Sequence, residues 1–212
     1  MTSIDAADLK RMFDAIAVAI EADKDRLCQL DGVIGDADHG IAMALGFGAV
    51  RDALAPLDLA ATEPTVLLNT AAKSFLNAVG ASSGPLYATA FMRGAAAVKG
   101  KATLAGADFI ALFQAMAQGI QDRGKAEIGE KTMVDAWLPA AQAAAAAHAA
   151  GKTLSESRAT AVEAAERGAE ATKDMVAAKG RSSRLGERSL GHMDPGAASA
   201  VTVISAMRKS LA

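Results

Sequence analysis

Apolar residues recur along this chain at helical spacing. Leu9, Met12, Phe13, Ile16, Ile20 and Leu27 stand three, four or seven positions apart, which makes one stripe on a helix over 6–27. A second helix is predicted over 41–54, stopping before Pro56. "TEPTVLLNTAAKSFLNAVG" (62–80) predicts a third, with Pro64 in the first turn, where the missing N–H costs nothing. "GPLYATAFMRGAAAVKG" (84–100) predicts a fourth, opened by Pro85 and closed by Gly100. A fifth is predicted over 103–124. The sixth, over 131–151, should kink or break early at Pro139. "TLSE" (153–156) is a capping box that opens a seventh, running to about 178. Asp194 and Pro195 open the last as N-cap and first-turn residue.

About eight helices joined by short connections predict an all-α fold, an antiparallel bundle spanning 1–212 as a single domain. Composition agrees. Aromatic residues make up only 4 %, and alanine, the best helix former, is the commonest residue. Trp137, Met92, Met116 and Met133 read as core, and the alanine run 143–147 as a close helix contact. His148, within that run, reads as a helix-surface residue.

Charge excludes some functions. Lys plus Arg number 22 against 24 Asp plus Glu, which is no footprint for nucleic acid. No long apolar run predicts a membrane span, and "MTSIDAADLKRMF" meets charge too early for a signal peptide. The single cysteine, Cys28, fits a reducing cytoplasm and reads as packing.

Four connections carry unusual chemistry: 31–40, "GASSGPL" (80–86), "RGKAEIGEKTM" (123–133) and "KGRSSRLGERSLGHMDPG" (179–196). They are the first, third, fifth and seventh connections. In an up-and-down bundle alternate connections share one end, so all four should meet there.

The first places Asp31, Asp36 and Asp38 among glycines. Their hard oxygens suit Mg²⁺ or Ca²⁺. An EF-hand fails on spacing: counted from Asp36, position 5 is Gly40 and position 12 is Phe47, and counted from Asp31, position 3 is Val33. Few acidic ligands favour Mg²⁺ shared with phosphate. Aspartates also cap helices and form turns, and this loop alone does not separate the two readings. Ser82 and Ser83 precede a helix start, where free N–H groups bind phosphate, although a serine there is also an ordinary cap. Lys179, Arg181, Arg184 and Arg188 suit phosphate in a loop long enough to suggest a function. Asp194, Pro195 and Gly196 make a second helix start. His39 and His192 flank acidic turns, as metal ligands, bases, nucleotide contacts or plain turn residues. Together these features suggest a Mg-nucleotide site.

"IGDADHG", "GASSGPLY", "RGKAEIGEKTMVDAW" and "KGRSSRLGERSLGHMDPGA" resemble the nucleotide-binding (L) subunits of dihydroxyacetone kinases, a module that also forms the C-terminal domain of single-chain kinases. The resemblance covers nearly the whole chain, in order. It implies a closed antiparallel bundle of eight helices with ADP or ATP at one end. Two Mg²⁺ ions would rest on Asp31, Asp36 and Asp38. Nucleotide contacts would fall on His39, Gly40, Ile41, Ala42, Ser82, Ser83, Gly124, Met133, Arg181, Asp194, Pro195 and Gly196. The keto sugar would sit on a separate K-type subunit. ADP would be rephosphorylated in place by a phosphohistidine protein of the phosphotransferase system, or ATP would exchange with solvent. Some members also contact a transcription regulator. Loss of the loop aspartates would have favoured a purely regulatory role, and all three are present. Two positions depart from the pattern: Ala81 replaces a glycine and Arg184 an aromatic residue.

Overall fold

The computed structural model describes residues 3–80 and 83–211, so Ala81 and Ser82 lie outside the described residues. Among the described residues eight α-helices follow one another: α1 Ala6–Ile34, α2 His39–Leu54, α3 Pro64–Ala78, α4 Ser83–Ala97, α5 Gly106–Gly124, α6 Val134–Ala149, α7 Leu154–Ala171 and α8 Pro195–Ser210. Each helix packs on the next, and α8 packs back on α1, which closes the ring. The expected all-α antiparallel bundle is therefore present. Among the described residues the only β pairing is an isolated bridge between Ile4 and Leu104.

The few aromatics are spent on the core. All six phenylalanines, Tyr87 and Trp137 are buried. Their rings pack against one another across the bundle: Phe13 on Phe91 at 5.2 Å and Phe47 on Phe75 at 5.1 Å edge to face, and Phe113 on Trp137 at 5.5 Å tilted. Such pairs add about 0.5–1.5 kcal/mol each beyond the area they bury. Alanine lets the helices approach around that axis, and Ala144 in the alanine run is fully buried. Met92 is a correction: expected in the core, it stands half exposed on α4. His148 is only partly exposed and lies against Gly106.

Several helix ends differ from expectation, each for a local reason. α1 runs seven residues past Leu27 and carries Asp31 and Gly32 into its last turns, against the expectation of a turn there. α5 starts at Gly106 rather than 103, because Asp108 accepts the Ala105 amide at 2.9 Å and caps it there. α6 starts at Val134 because Lys131 has left-handed backbone (φ 59), which a helix cannot hold. Pro139 does not break α6. It deprives the Asp135 carbonyl of its helical donor, and α7 packs there so closely that a Cβ on Gly168 would collide with that carbonyl. α7 ends at Ala171 rather than near 178. The chain tightens into a 3₁₀ turn, Thr172–Asp174, and a second 3₁₀ segment, Ser182–Ser189, orders the long connection to α8.

Candidate functional site

The end of α1 builds the acidic half of the site. Asp31 is 8 % exposed, and its Oδ2 accepts the amides of Asp38 at 2.9 Å and His39 at 3.2 Å. It thus caps α2 from the neighbouring helix. A Cβ on Gly35 would collide with the Asp31 carboxylate, so the turn needs glycine there. Asp38, in the N-cap position of α2, makes no side-chain cap of its own. Its carboxylate stays exposed and caps no helix, as does that of Asp36. One oxygen from each of Asp31, Asp36 and Asp38 lies within 4.8 Å of the other two. The capping reading and the ion-cluster reading of this loop are therefore compatible, since Asp31 caps and the other two are left over. Arg181 meets this cluster, paired with Asp36 and 3.9 Å from Asp38.

A cavity of about 380 Å³ opens beside the carboxylates, and all four unusual connections line it. The first gives Asp31, Asp36, Asp38, His39 and Ala42. The start of α4 gives Ser83, with Pro85 and Leu86. The α5–α6 connection gives Arg123, Gly124, Lys131, Thr132 and Met133. The last gives Lys179, Arg181, Asp194, Pro195 and Gly196. The helix count had predicted this convergence. Gly40 and Ile41 do not line the cavity. Gly40 is where α2 touches α1, and a Cβ there would strike the Lys24 carbonyl. Ile41 is half exposed. Arg184, Arg188 and His192 are exposed outside the cavity, and Ser82 lies outside the described residues.

His39, which lines the cavity, also braces α2 against α8. Its Nε2 lies 2.9 Å from Ser199 Oγ on α8, and that hydroxyl donates to the Gly196 carbonyl at 3.0 Å. The hydroxyl's proton is thus committed, so Nε2–H is the donor. Burial holds this imidazole below its ordinary range, hence neutral at pH 7.

At the start of α8, Asp194 caps its own helix, with Oδ2 accepting the Ala197 amide at 2.8 Å. Burial pushes its carboxyl up to about 7. Lys131 lies nearby, 1 % exposed, and desolvation lowers its pKa against the pull of Asp194, Asp135 and Asp174. Sequence reading missed Lys131, Thr132 and Arg123. Their loop was singled out, but a lysine in a polar loop carries no mark of burial.

A model of the DAK2 domain matches residues 33–209. The chain belongs to the DAK2 domain family. The ADP-binding subunit DhaL of a PEP-dependent dihydroxyacetone kinase 2 from Listeria innocua is 35 % identical over 208 residues, 98 % of this chain and 96 % of that one. The corresponding ADP-binding subunit DhaL from Escherichia coli K12 is 39 % identical over 173 residues, 82 % and 81 % of the two chains. In fold, the chain is similar to the dihydroxyacetone kinase of C. freundii, solved in complex with AMP-PNP and Mg²⁺. The TM-score is 0.71 at 24 % identity, over 99 % of this chain and 35 % of that one. This DAK2 chain thus spans about a third of that kinase. No described helix is long and apolar enough to cross a membrane.

Proposed function

We propose that this chain is the nucleotide-binding subunit of a two-chain dihydroxyacetone kinase. In this reading it holds Mg-ADP as a coenzyme, which a phosphohistidine protein converts to ATP in place. The γ-phosphate then goes to dihydroxyacetone on a separate K-type subunit, in the cytoplasm. One observation carries the reading: three clustered carboxylates, two helix starts and the cations Lys179 and Arg181 share one cavity. The L. innocua and E. coli relatives, both named ADP-binding subunits of PEP-dependent kinases, match along most of their length, which supports the two-chain form.

The donor set fits magnesium. Asp31, Asp36 and Asp38 offer only hard oxygens, and the cluster already holds the positive charge of Arg181. These three would hold two Mg²⁺ ions, whose contribution is to neutralise charge on the phosphate oxygens. Phosphoryl transfer needs positioning and charge neutralisation more than covalent help, and the chain supplies both. Once its carboxylates are taken by metal, Arg181 is free to pair bidentately with phosphate. The helix start at Ser83 and the Gly196 amide at the start of α8 direct N–H groups at anions. Gly40 and Ile41, second and third residues of α2, have no helical acceptor for their amides. They can therefore bind phosphate through the backbone without lining the cavity by side chain. Leu86, Ile120 and Met133 form an apolar wall suited to a nucleobase.

The test is the nucleotide content of the purified protein. Denaturation, chromatography of the supernatant and elemental analysis should give near-stoichiometric ADP with Mg that survives dialysis. Added phosphohistidine donor protein should convert that ADP to ATP. Little retained nucleotide, with binding of added Mg-ATP, would move the chain to the solvent-exchanging ATP-dependent type. No binding under either condition would overturn the kinase reading.

A further inference from the structure

We propose, on the reading above, that Lys131 is a positioning residue that clips together the two ends of the segment carrying Arg181. That segment leaves α7 at Thr172 and enters α8 at Asp194. The Lys131 ammonium donates to the Thr172 carbonyl at 2.5 Å and to the His192 carbonyl. These acceptors lie at opposite ends of the segment. One side chain from the α5–α6 connection thus closes its neck.

The neighbouring contacts make the neck one unit. Asp194 N donates to Thr172 Oγ1 at 2.9 Å, and Gly191 N to the Lys173 carbonyl at 2.8 Å. Residue 130 grips the same segment, through Ala178 N to the Glu130 carbonyl at 3.2 Å and Lys179 to the Glu130 carboxylate at 3.6 Å. Arg181 is two residues further on. From the other side, buried Asp135 fixes the backbone of the clip. Its carboxylate accepts Gly129 N at 2.6 Å and Thr132 N at 2.7 Å. Lys131 is therefore held by α6 and reaches across to the entry of α8.

A stabilising role alone would not call for this residue. Burying an ammonium is costly, and an apolar side chain of the same size would often stabilise as well. A left-handed backbone at a lysine adds strain. What the ammonium adds is direction, since two carbonyls brought to one point set the register of the neck. That register fixes Arg181 against Asp36 and Asp38, and Gly196 against the cavity. Lys131 acts through these residues and needs no contact with phosphate.

The test compares Lys131→Met, Arg181→Ala and the double variant in the full chain. Mg-ADP affinity is read by calorimetry and amide exchange by mass spectrometry. Lys131→Met should keep the core amides of α3 to α5 protected, lose protection at Gly191 and Asp194, and bind Mg-ADP at least about tenfold more weakly, the scale of loss from removing an outer-shell partner. In the Arg181→Ala background the same substitution should cost about threefold or less, because coupled residues are non-additive. Should Lys131→Met fail to fold, Lys131→Gln, which keeps one N–H donor arm, is judged by the same criteria. Affinity within twofold of the unsubstituted chain, additive losses, or exchange rising uniformly through α3 to α5 would overturn the proposal. If the unsubstituted chain binds no Mg-ADP, the kinase reading falls, and protection at Gly191 and Asp194 alone decides the clip.

Discussion

The starts of α2 and α8 use the same residue type in opposite ways. Each helix has an aspartate at its N-cap, Asp38 and Asp194. At α2 the capping is done from outside, by Asp31 reaching over from α1, and Asp38 and Asp36 are left in water beside Arg181. At α8 the aspartate caps its own helix, is buried, and has its carboxyl raised to about 7. Water separates the two. Exposed carboxylates can exchange one cation for another at little cost, whereas a buried one is committed to its helix and resists ionisation. The first is built to bind, the second to hold its place.

The largest effect should come from removing the wet pair. Asp36→Ala with Asp38→Ala should abolish Mg-dependent nucleotide binding, a loss of at least about a thousandfold, or ~4 kcal/mol. Thermal stability without ligand should stay within ~2 °C, because exposed charges contribute little to folding. Calorimetric titration with Mg-ADP beside a melting curve checks both. Tight Mg-ADP binding by the double variant would remove the functional difference between the two helix starts.

The dry aspartate should show itself through pH. An aspartate in the unfolded chain titrates near pH 4, and Asp194 in the folded chain near about 7. Below about pH 4 both states hold the proton, and this group costs nothing. As pH rises towards 7 the unfolded chain ionises while the folded one does not, so stability falls, and it levels off above about 7. The fall should be on the order of 4 kcal/mol. Asp194→Asn keeps an acceptor for the Ala197 amide and carries no charge. It should melt higher than the unsubstituted protein at pH 8 without ligand, with the gap closing by pH 4. A constant gap across that range would mean that Asp194 is as wet as Asp38.

The difference between these helix starts was only partly legible in the sequence. Periodicity and helix punctuation gave eight helices, and counting connections brought four loops to one end, because these are local and topological facts. Asp31, Asp36 and Asp38 were visible as a cluster of acids. Which of them would cap and which would stay free was not, since that depends on α1 continuing through Asp31 and Gly32, two poor helix residues held in place by the packing of α1 on α2. Burial of Asp194 and Lys131 was also invisible, because it comes from the packing of 172–194 against the start of α6. Met92 shows the same limit in reverse, an apolar residue at helical spacing that tertiary packing leaves half exposed.

The start of α7 supplies the yardstick for both. It lies at the other end of the bundle, where Thr153 and Glu156 form the reciprocal box read from "TLSE". Glu156 N donates to Thr153 Oγ1 at 3.2 Å, and Thr153 N to Glu156 Oε2 at 2.8 Å. This box is exposed and lies outside the cavity that the four connections line. Thr153→Ala should cost about 1 kcal/mol, the usual worth of a lost N-cap. In a chain of this size that lowers the melting temperature by about 2–4 °C. Mg-ADP affinity should stay within twofold, because the change is felt only at the far end. The three starts then separate by observable. Loss of the wet aspartates is read in binding, loss of the dry one in the pH profile, and loss of the threonine in stability alone. A Thr153→Ala variant that weakened nucleotide binding would show that helix ends across the bundle are coupled, and the contrast between α2 and α8 could then no longer be assigned to their own surroundings.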